Sequence, residues 1–356
     1  MTTVISWQQT VSNFTNIYNL NQAHQQVVQI KQGLTTNKVR FSIANDFGNE
    51  ALIIERLTVQ IFGQDLVTVV PIAGNAHFGI PAHQRVWSDW VTLAIHAGDW
   101  LTLRLESQAD SPQSLMQTKD QSMIKLVDER TERFFGVNAI EIKRDLPAKQ
   151  LLFFGDSLTN QGYYSAALSD LWQTKFPDRW GLINAGVSGN RLLRDANTNS
   201  VWGSSFGPAG VGRLARILAQ QPVDALIFME GLNDLLHPGT TAPAAELPTA
   251  TALIDGLRKV ESLAADAGVP LLRLTITPFK TAVVDGRDAW TPQKERLRQM
   301  VNDYLKGFST TIDLAGYVAD PQDSAVLATP FDCGDHIHFS AEGGQRIAEF
   351  IAGQLW

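Results

Sequence analysis

From about residue 148 onward, short apolar runs alternate with stretches of helical spacing, and this alternation constrains the fold more than any other feature. The runs occupy residues 151–154, 182–183, 225–229, 271–276 and 311–314; the helix-like stretches occupy 163–174, 211–220, 250–267, 292–306 and 341–355. In the third stretch Leu253, Leu257, Val260 and Leu263 recur at intervals of three and four, which places them on one stripe of a helix. Strands separated by helices form a parallel sheet covered on both faces. Such sheets bind ligands in the crevice at the carboxyl ends of their strands. The turns that follow these runs are therefore where chemistry is expected.

The preceding half has a different period. Between about residues 36 and 145 the pattern is strand-like, and in residues 100–106 apolar Leu101, Leu103 and Leu105 alternate with Thr102, Arg104 and Glu106. A period of two marks a half-buried strand. Further strands are expected at 39–43, 51–62, 66–72 and 86–95, separated by turn-forming residues at 45–49, 63–65 and 73–75. Short strands without intervening helices predict an all-β sandwich of jelly-roll type. Residues 107–130, rich in Gln, Asp and Ser, read as a long loop, and no internal repeat is present. A chain of 356 residues accommodates two domains at about 100–200 residues each. The expected division is 1–147 and 148–356.

Composition narrows the function classes. The formal charge is −7, from 29 basic and 36 acidic residues, and no long Lys/Arg run occurs, so neither nucleic acid nor an anionic membrane is an expected partner. No apolar run reaches the ~18–20 residues a membrane helix needs. The start, Met-Thr-Thr-Val-Ile-Ser-Trp, lacks a basic segment followed by an apolar one, which predicts a cytoplasmic protein without a secretory signal. The single cysteine, Cys333, excludes an intrachain disulfide and a cysteine-based zinc cluster.

The first strand of the second half runs into Gly155-Asp156-Ser157-Leu158-Thr159. A serine between a buried strand and a helix presents its hydroxyl in the crevice, where backbone amides favour developing negative charge. The same position suits a helix cap, and local sequence leaves both roles open. A serine nucleophile needs a base, for which histidine oriented by a carboxylate is the natural choice. Of seven histidines, His24, His77, His83 and His96 fall in the β-rich half and His237 follows another motif. His336 and His338 remain, in Asp335-His336-Ile337-His338-Phe339 just before the last helix; a hydrogen-bonded surface turn is the plainer reading of that segment. Two donor-rich turns lie between, residues 184–190 (Asn-Ala-Gly-Val-Ser-Gly-Asn) and Gly231-Leu232-Asn233-Asp234. Glycine lets backbone N–H groups approach a substrate oxygen, and an asparagine amide adds a neutral donor. For Asn233 an Asx-type turn is the alternative.

Taken together, Gly155-Asp156-Ser157-Leu158, Gly189, Gly231-x-Asn233-Asp234 and Asp335-x-x-His338 occur in the order of the four sequence blocks of GDSL/SGNH hydrolases, each after an expected strand. The resemblance covers about residues 148–356. It implies a flavodoxin-like three-layer α/β/α hydrolase domain with Ser157 as nucleophile, His338 as base and Asp335 as its orienting partner. It further implies an oxyanion hole from the amides of Ser157 and Gly189 and the side chain of Asn233, with Asp156 and Asp234 supporting the site. His336 stands where many members have glycine and is given no catalytic role. The segments Val39-Arg40-Phe41-Ser42 and Asn45-Asp46-Phe47-Gly48 resemble the β-sandwich that precedes the hydrolase domain in a bacterial subgroup of that family. The implied activity is hydrolysis of short acyl esters, acetylated sugars among them, with no metal or organic cofactor.

Several features point elsewhere. Gly203-Ser204-Ser205-Phe206-Gly207 matches a G-x-S-x-G elbow, but no buried strand precedes it, so it reads as a flexible loop near the site. Asp335, His336 and His338 make an incomplete zinc set, and Cys333 reads as a packing residue. A thioesterase or lysophospholipase uses the same triad. From another class, a non-catalytic carbohydrate-binding protein would use Trp87, Trp90, Trp100, Trp202 and Trp290 as stacking faces.

Overall fold

A computed structural model describes residues 2–17, 24–108, 112–127, 132–196, 198 and 200–355. The chain forms two compact units, Met1–Gln150 with Ser169–Asn184, and Leu151–Leu168 with Ala185–Trp356. The sequence-based division at 147/148 differs from these units chiefly in residues 169–184.

The first unit is built on β1 (Thr2–Gln9), β2 (Ser12–Asn13), β3 (Gln25–Lys31), β4 (Thr36–Asn45), β5 (Leu52–Ile61), β6 (Val67–Val69) and β7 (Phe78–Ile80). They are followed by β8 (Gln84–Trp87), β9 (Val91–Ile95), β10 (Trp100–Ser107), β11 (Ser114–Gln117), β12 (Ile124–Val127) and β13 (Arg133–Arg144). Antiparallel pairing produces two sheets. One runs β2–β11–β13–β1, with β4 on β13 and β8 and β9 on β4; the other runs β12–β3–β10–β5–β6, with β7 on β5. Alternation explains their inner faces: in β10, Leu101, Leu103 and Leu105 are buried whereas Arg104 and Glu106 face out. The sheets meet closely at Gly136, where a Cβ would lie 2.5 Å from Leu105 Cδ1. Nearby, the buried Gln26 amide donates to Phe135 O (2.9 Å) and accepts from Phe135 N (3.0 Å), so a polar side chain inside the sandwich has its hydrogen bonds met.

Two expectations for this half are corrected. Residues 107–130 are not one loop: β11 and β12 lie within it, and all four residues of β11 are buried. Hydrophilic Ser114 and Gln117 hid β11 from a pattern reading, because a short strand between two others is made by pairing rather than by hydropathy. The parts of that segment at 109–111 and 128–130 lie outside the described residues. The run 86–95 is two strands, interrupted where Ser88 Oγ accepts from Phe41 N at 2.9 Å.

The rest of the chain contains β14 (Lys149–Gly155), α1 (Ser157–Asn160), α2 (Tyr163–Lys175), β15 (Trp180–Gly186), α3 (Gly210–Gln220), β16 (Ala225–Met229), α4 (Leu232–Leu236) and α5 (Ala250–Asp266). Then come β17 (Leu271–Leu274), β18 (Val283–Val284), β19 (Arg287–Asp288), α6 (Pro292–Lys306), β20 (Thr311–Ile312), α7 (Leu314–Val318) and α8 (Ala341–Leu355). In the second unit β14, β16, β17 and β20 pair in parallel in that order. The last residues of β15 lie on the other side of β14, where Val187 N donates to Gly155 O at 3.0 Å. The order 2-1-3-4-5 is that of a flavodoxin-like sheet. Side chains of adjacent strand residues point to opposite faces. Phe153 meets Tyr164 of α2 edge-on, with centroids 6.4 Å apart, whereas Phe154 lies under Arg213 of α3. Helices therefore cover both faces of β14, as the alternating pattern requires. The start of α6 follows the same local rules, with Thr291 accepting from Lys294 N and proline at the first position. Among the described residues no helix is long and apolar enough to cross a membrane.

Candidate active site

Every residue singled out in the four blocks belongs to the second unit, and the site forms at the carboxyl ends of its strands. Gly155 ends β14 in a space no side chain can share, since a Cβ would lie 2.2 Å from Met229 O and 2.4 Å from Thr159 Oγ1. Asp156 caps α1, its Oδ1 accepting from Leu158 N at 3.0 Å. The cap of α1 is therefore not Ser157 but its neighbour, and Ser157 is the first helical residue. Its N–H belongs to the first turn, which has no intrahelical acceptor. Ser157 is 7% exposed.

The Ser157 hydroxyl meets an imidazole 181 residues away, with Oγ 2.8 Å from His338 Nε2. The other ring nitrogen, Nδ1, lies 2.6 Å from Asp335 Oδ2. Asp335 Oδ1 accepts from Ile337 N (2.9 Å) and His338 N (2.7 Å), so one tight turn holds the carboxylate and aims the ring. A carboxylate only accepts, so Nδ1 carries the proton and the lone pair of the neutral ring is on Nε2, facing Ser157. Burial pushes the Asp335 carboxyl up, but the hydrogen bond and charge of His338 and the two backbone donors outweigh it. The net shift is downward, well below the usual carboxylate range.

Gly189 and Asn233, the residues expected to supply oxyanion donors, lie in two turns joined through Asn190. Gly189 has φ 75°, and a Cβ there would lie 2.1 Å from Phe206 Cδ1, so both conformation and space demand glycine. Asn233 sits in α4 behind Gly231, whose φ of 120° makes the turn out of β16. One N–H of its amide donates to Asn190 O at 2.9 Å, which leaves the second for another acceptor. Asp234 accepts from Leu192 N (2.6 Å) and Leu193 N (3.1 Å) and so anchors the loop after Gly189. Burial pushes the carboxyls of Asp156 and Asp234 up to about 6.

Other sequence features fall outside this arrangement. His336 turns to Asp332, with Nδ1 2.6 Å from Oδ2, and adopts φ 64° where glycine would be unstrained. Both imidazoles of the incomplete zinc set thus have Nδ1 on separate carboxylates, and Cys333 is exposed at the surface. Ser205 lies in a 3₁₀ turn, Gly203–Phe206, and donates to Trp202 O at 2.8 Å. That turn contributes Phe206 to the wall beside Gly189; Asn197 and Asn199 just before it lie outside the described residues. His237 is buried, and burial together with Arg191 and Lys294 pushes it down to about 3, so it is neutral. Trp87 and Trp90 share the Arg40 guanidinium, Lys125 lies over Trp100 and Lys280 over Trp290, so each of these rings already has a cation on one face.

Sequence reasoning passed over two residues. Arg213 is the one charge beside Leu214 on the buried face of α3, and Glu230 follows directly on the apolar run of β16. Their signal was a charge at an apolar position. Among the described residues neither carboxylate oxygen of Glu230 has a hydrogen-bond partner within 3.5 Å, and burial pushes it up to about 8 despite the charge of Arg213 at 3.6 Å.

The model of the GDSL-like lipase/acylhydrolase family matches residues 153–346. Among curated proteins no match is found. Solved structures with a similar fold include a carbohydrate acetylesterase from Sinorhizobium meliloti, at 19% identity and TM-score 0.42, covering 58% of this chain and 98% of that one. An acetyl xylan esterase is 17% identical with TM-score 0.40, over 58% of this chain and 100% of its own. A GDSL-like lipase from Bacteroides thetaiotaomicron is 16% identical with TM-score 0.42, over 58% and 87%.

Proposed function

The chain belongs to the GDSL-like lipase/acylhydrolase family, and from that premise we propose that it is a serine esterase acting on short acyl esters, acetyl esters of sugars foremost. In this reading residues 148–356 are the catalytic domain. The observation that carries it is the unbroken series Asp335–His338–Ser157, with contacts of 2.6 and 2.8 Å. His338 Nε2 takes the proton of Ser157 as Oγ attacks the ester carbonyl. Asp335, held ionised, stabilises the imidazolium and keeps its proton on Nδ1. The carbonyl oxygen, now an oxyanion, is met by the N–H groups of Ser157 and Gly189 and the second N–H of the Asn233 amide. His338 returns its proton to the leaving alcohol, and water then repeats the sequence on the acyl-enzyme to release the acid. No metal or organic cofactor enters any step. The Phe206 ring packs directly against Gly189, with His237 behind it at 4.9 Å between centroids.

A fluorophosphonate should label wild-type protein stoichiometrically at Ser157 and leave Ser157→Ala unlabelled. The variant should keep its fold and lose hydrolysis of p-nitrophenyl acetate; turnover surviving the substitution overturns the nucleophile. A series from acetyl to dodecanoyl esters, alongside acetylated sugars, should show kcat/KM falling with chain length.

A further inference from the structure

We propose that Arg213 is a positioning residue that sets the geometry of the oxyanion hole by acting through Asn190. The inference rests on the serine-esterase reading above. Arg213 is 7% exposed, and its guanidinium reaches two segments, the end of β14 and β15 with the turn after it. Nε donates to Asn190 Oδ1 at 2.8 Å, Nη1 to Ala185 O at 2.8 Å and Nη2 to Gly155 O at 3.2 Å. Gly155 is the last strand residue before Asp156 and Ser157. Ala185 lies near the end of the strand that leads to Gly189. Asn190 follows Gly189 directly. One planar fork therefore ties the strand that leads into the nucleophile turn to the strand and loop that carry Gly189, a task suited to the fixed geometry of a guanidinium.

Asn190 relays this hold. It is fully buried, and its amide donates to Phe206 O and Pro208 O while Oδ1 accepts from Arg213. Its carbonyl accepts from Asn233 Nδ2 at 2.9 Å. Of the three proposed donors, Gly189 N–H is one residue from this anchor and the Asn233 amide is hydrogen-bonded to it.

Arg213 pairs electrostatically with the buried Glu230, but that pair is not what fixes its orientation. Its nearest carboxylate, Glu230, is 3.6 Å from Nη2, beyond hydrogen-bond distance, and all three of its short hydrogen bonds go to neutral oxygens of the site's loops. Burying a guanidinium is unfavourable unless its donors are met. The bonds it makes in return are those that hold loop positions, and catalytic donors tolerate displacement of only about 0.5 Å.

The test is a double-mutant cycle of Arg213→Lys and Asn190→Ala read in kcat and KM on p-nitrophenyl acetate, with circular dichroism and urea melts on each protein. Lysine keeps the charge but loses the fork. Each single variant should lower kcat by about 10-fold or more, as sub-ångström misplacement of a catalytic group does, with KM within about 3-fold. The double variant should lose little more than the worse single one, because both substitutions break one relay. Added guanidinium should restore part of the kcat of Arg213→Ala and none of that of Ser157→Ala. Should Arg213→Ala not fold, the lysine cycle decides alone. Folded variants with unchanged kcat, strictly additive losses, or an effect confined to KM overturn the proposal. A wild-type protein that hydrolyses no ester and takes no fluorophosphonate label refutes the esterase reading itself, a distinct outcome.

Discussion

Replacing Asn233 by alanine tests the oxyanion hole and separates catalysis from stability in one protein. The Asn233 amide has two N–H groups; one is taken by Asn190 O at 2.9 Å, and the other is the proposed oxyanion donor. Alanine removes both. Loss of the free donor should lower kcat by about 10²–10³, equivalent to ~2.7–4 kcal/mol of transition-state stabilisation. Loss of the other leaves a buried carbonyl unpaired, because Asn233 is 5% exposed and Asn190 fully buried; that costs ~1–3 kcal/mol of folding stability. Against a typical stability of ~5–15 kcal/mol the variant remains overwhelmingly folded. Steady-state kinetics on p-nitrophenyl acetate therefore report the first magnitude, and the urea midpoint reports the second. Asn233→Asp keeps the shape but replaces the donor by a carboxylate facing the developing oxyanion, so it should be slower than alanine above the carboxyl's pKa. A kcat unchanged within about 2-fold, or a rise in KM alone, would show that Asn233 shapes the turn and does not meet the oxyanion.

Two further substitutions address the carboxylates. Asp335→Asn should lower kcat by about 10⁴, because an amide N–H facing Nδ1 forces the ring proton onto Nε2, where the lone pair is needed; retention of a tenth of wild-type activity would refute this role. Since Asp335 lies lower in the folded chain than its unfolded value of ~3.9, its stabilisation is complete above that value and lost as pH falls through the folded one. The stability gap between wild type and Asp335→Asn should thus be level above about pH 5 and narrow below pH 4. Glu230 titrates in the opposite sense: pushed up to about 8, it favours the folded state fully below ~4.3 and loses that contribution as pH rises through about 8. Glu230→Gln should therefore gain stability relative to wild type between pH 5 and 9 in urea melts, and parallel profiles would refute the assignment of a buried, raised carboxyl.

The division of labour between sequence and tertiary structure follows the range of the forces involved. Alternation of apolar runs with helical stripes specified the doubly wound half, since burial of one face imposes its period on the residues themselves. All five expected helical stretches are helices, α6 with the same boundaries and its proline start. That Asp335 could meet a histidine of its own turn was equally legible, whereas the choice of His338 over His336 came from the resemblance to the family's blocks. What the sequence left open is what depends on distant partners. Local pattern could not distinguish Ser157 as a cap from Ser157 as a free hydroxyl until Asp156 was seen to take the cap. β11 reads as polar loop and becomes buried strand only because β2 and β13 flank it. Arg213 and Glu230 break the apolar pattern around them, and only the convergence of two strand ends and the loop at Asn190 supplies the acceptors that make a buried guanidinium tolerable. The approach of Ser157 to His338 across 181 residues belongs to this second class: it is created by the order in which parallel strands lie side by side, which no local period encodes.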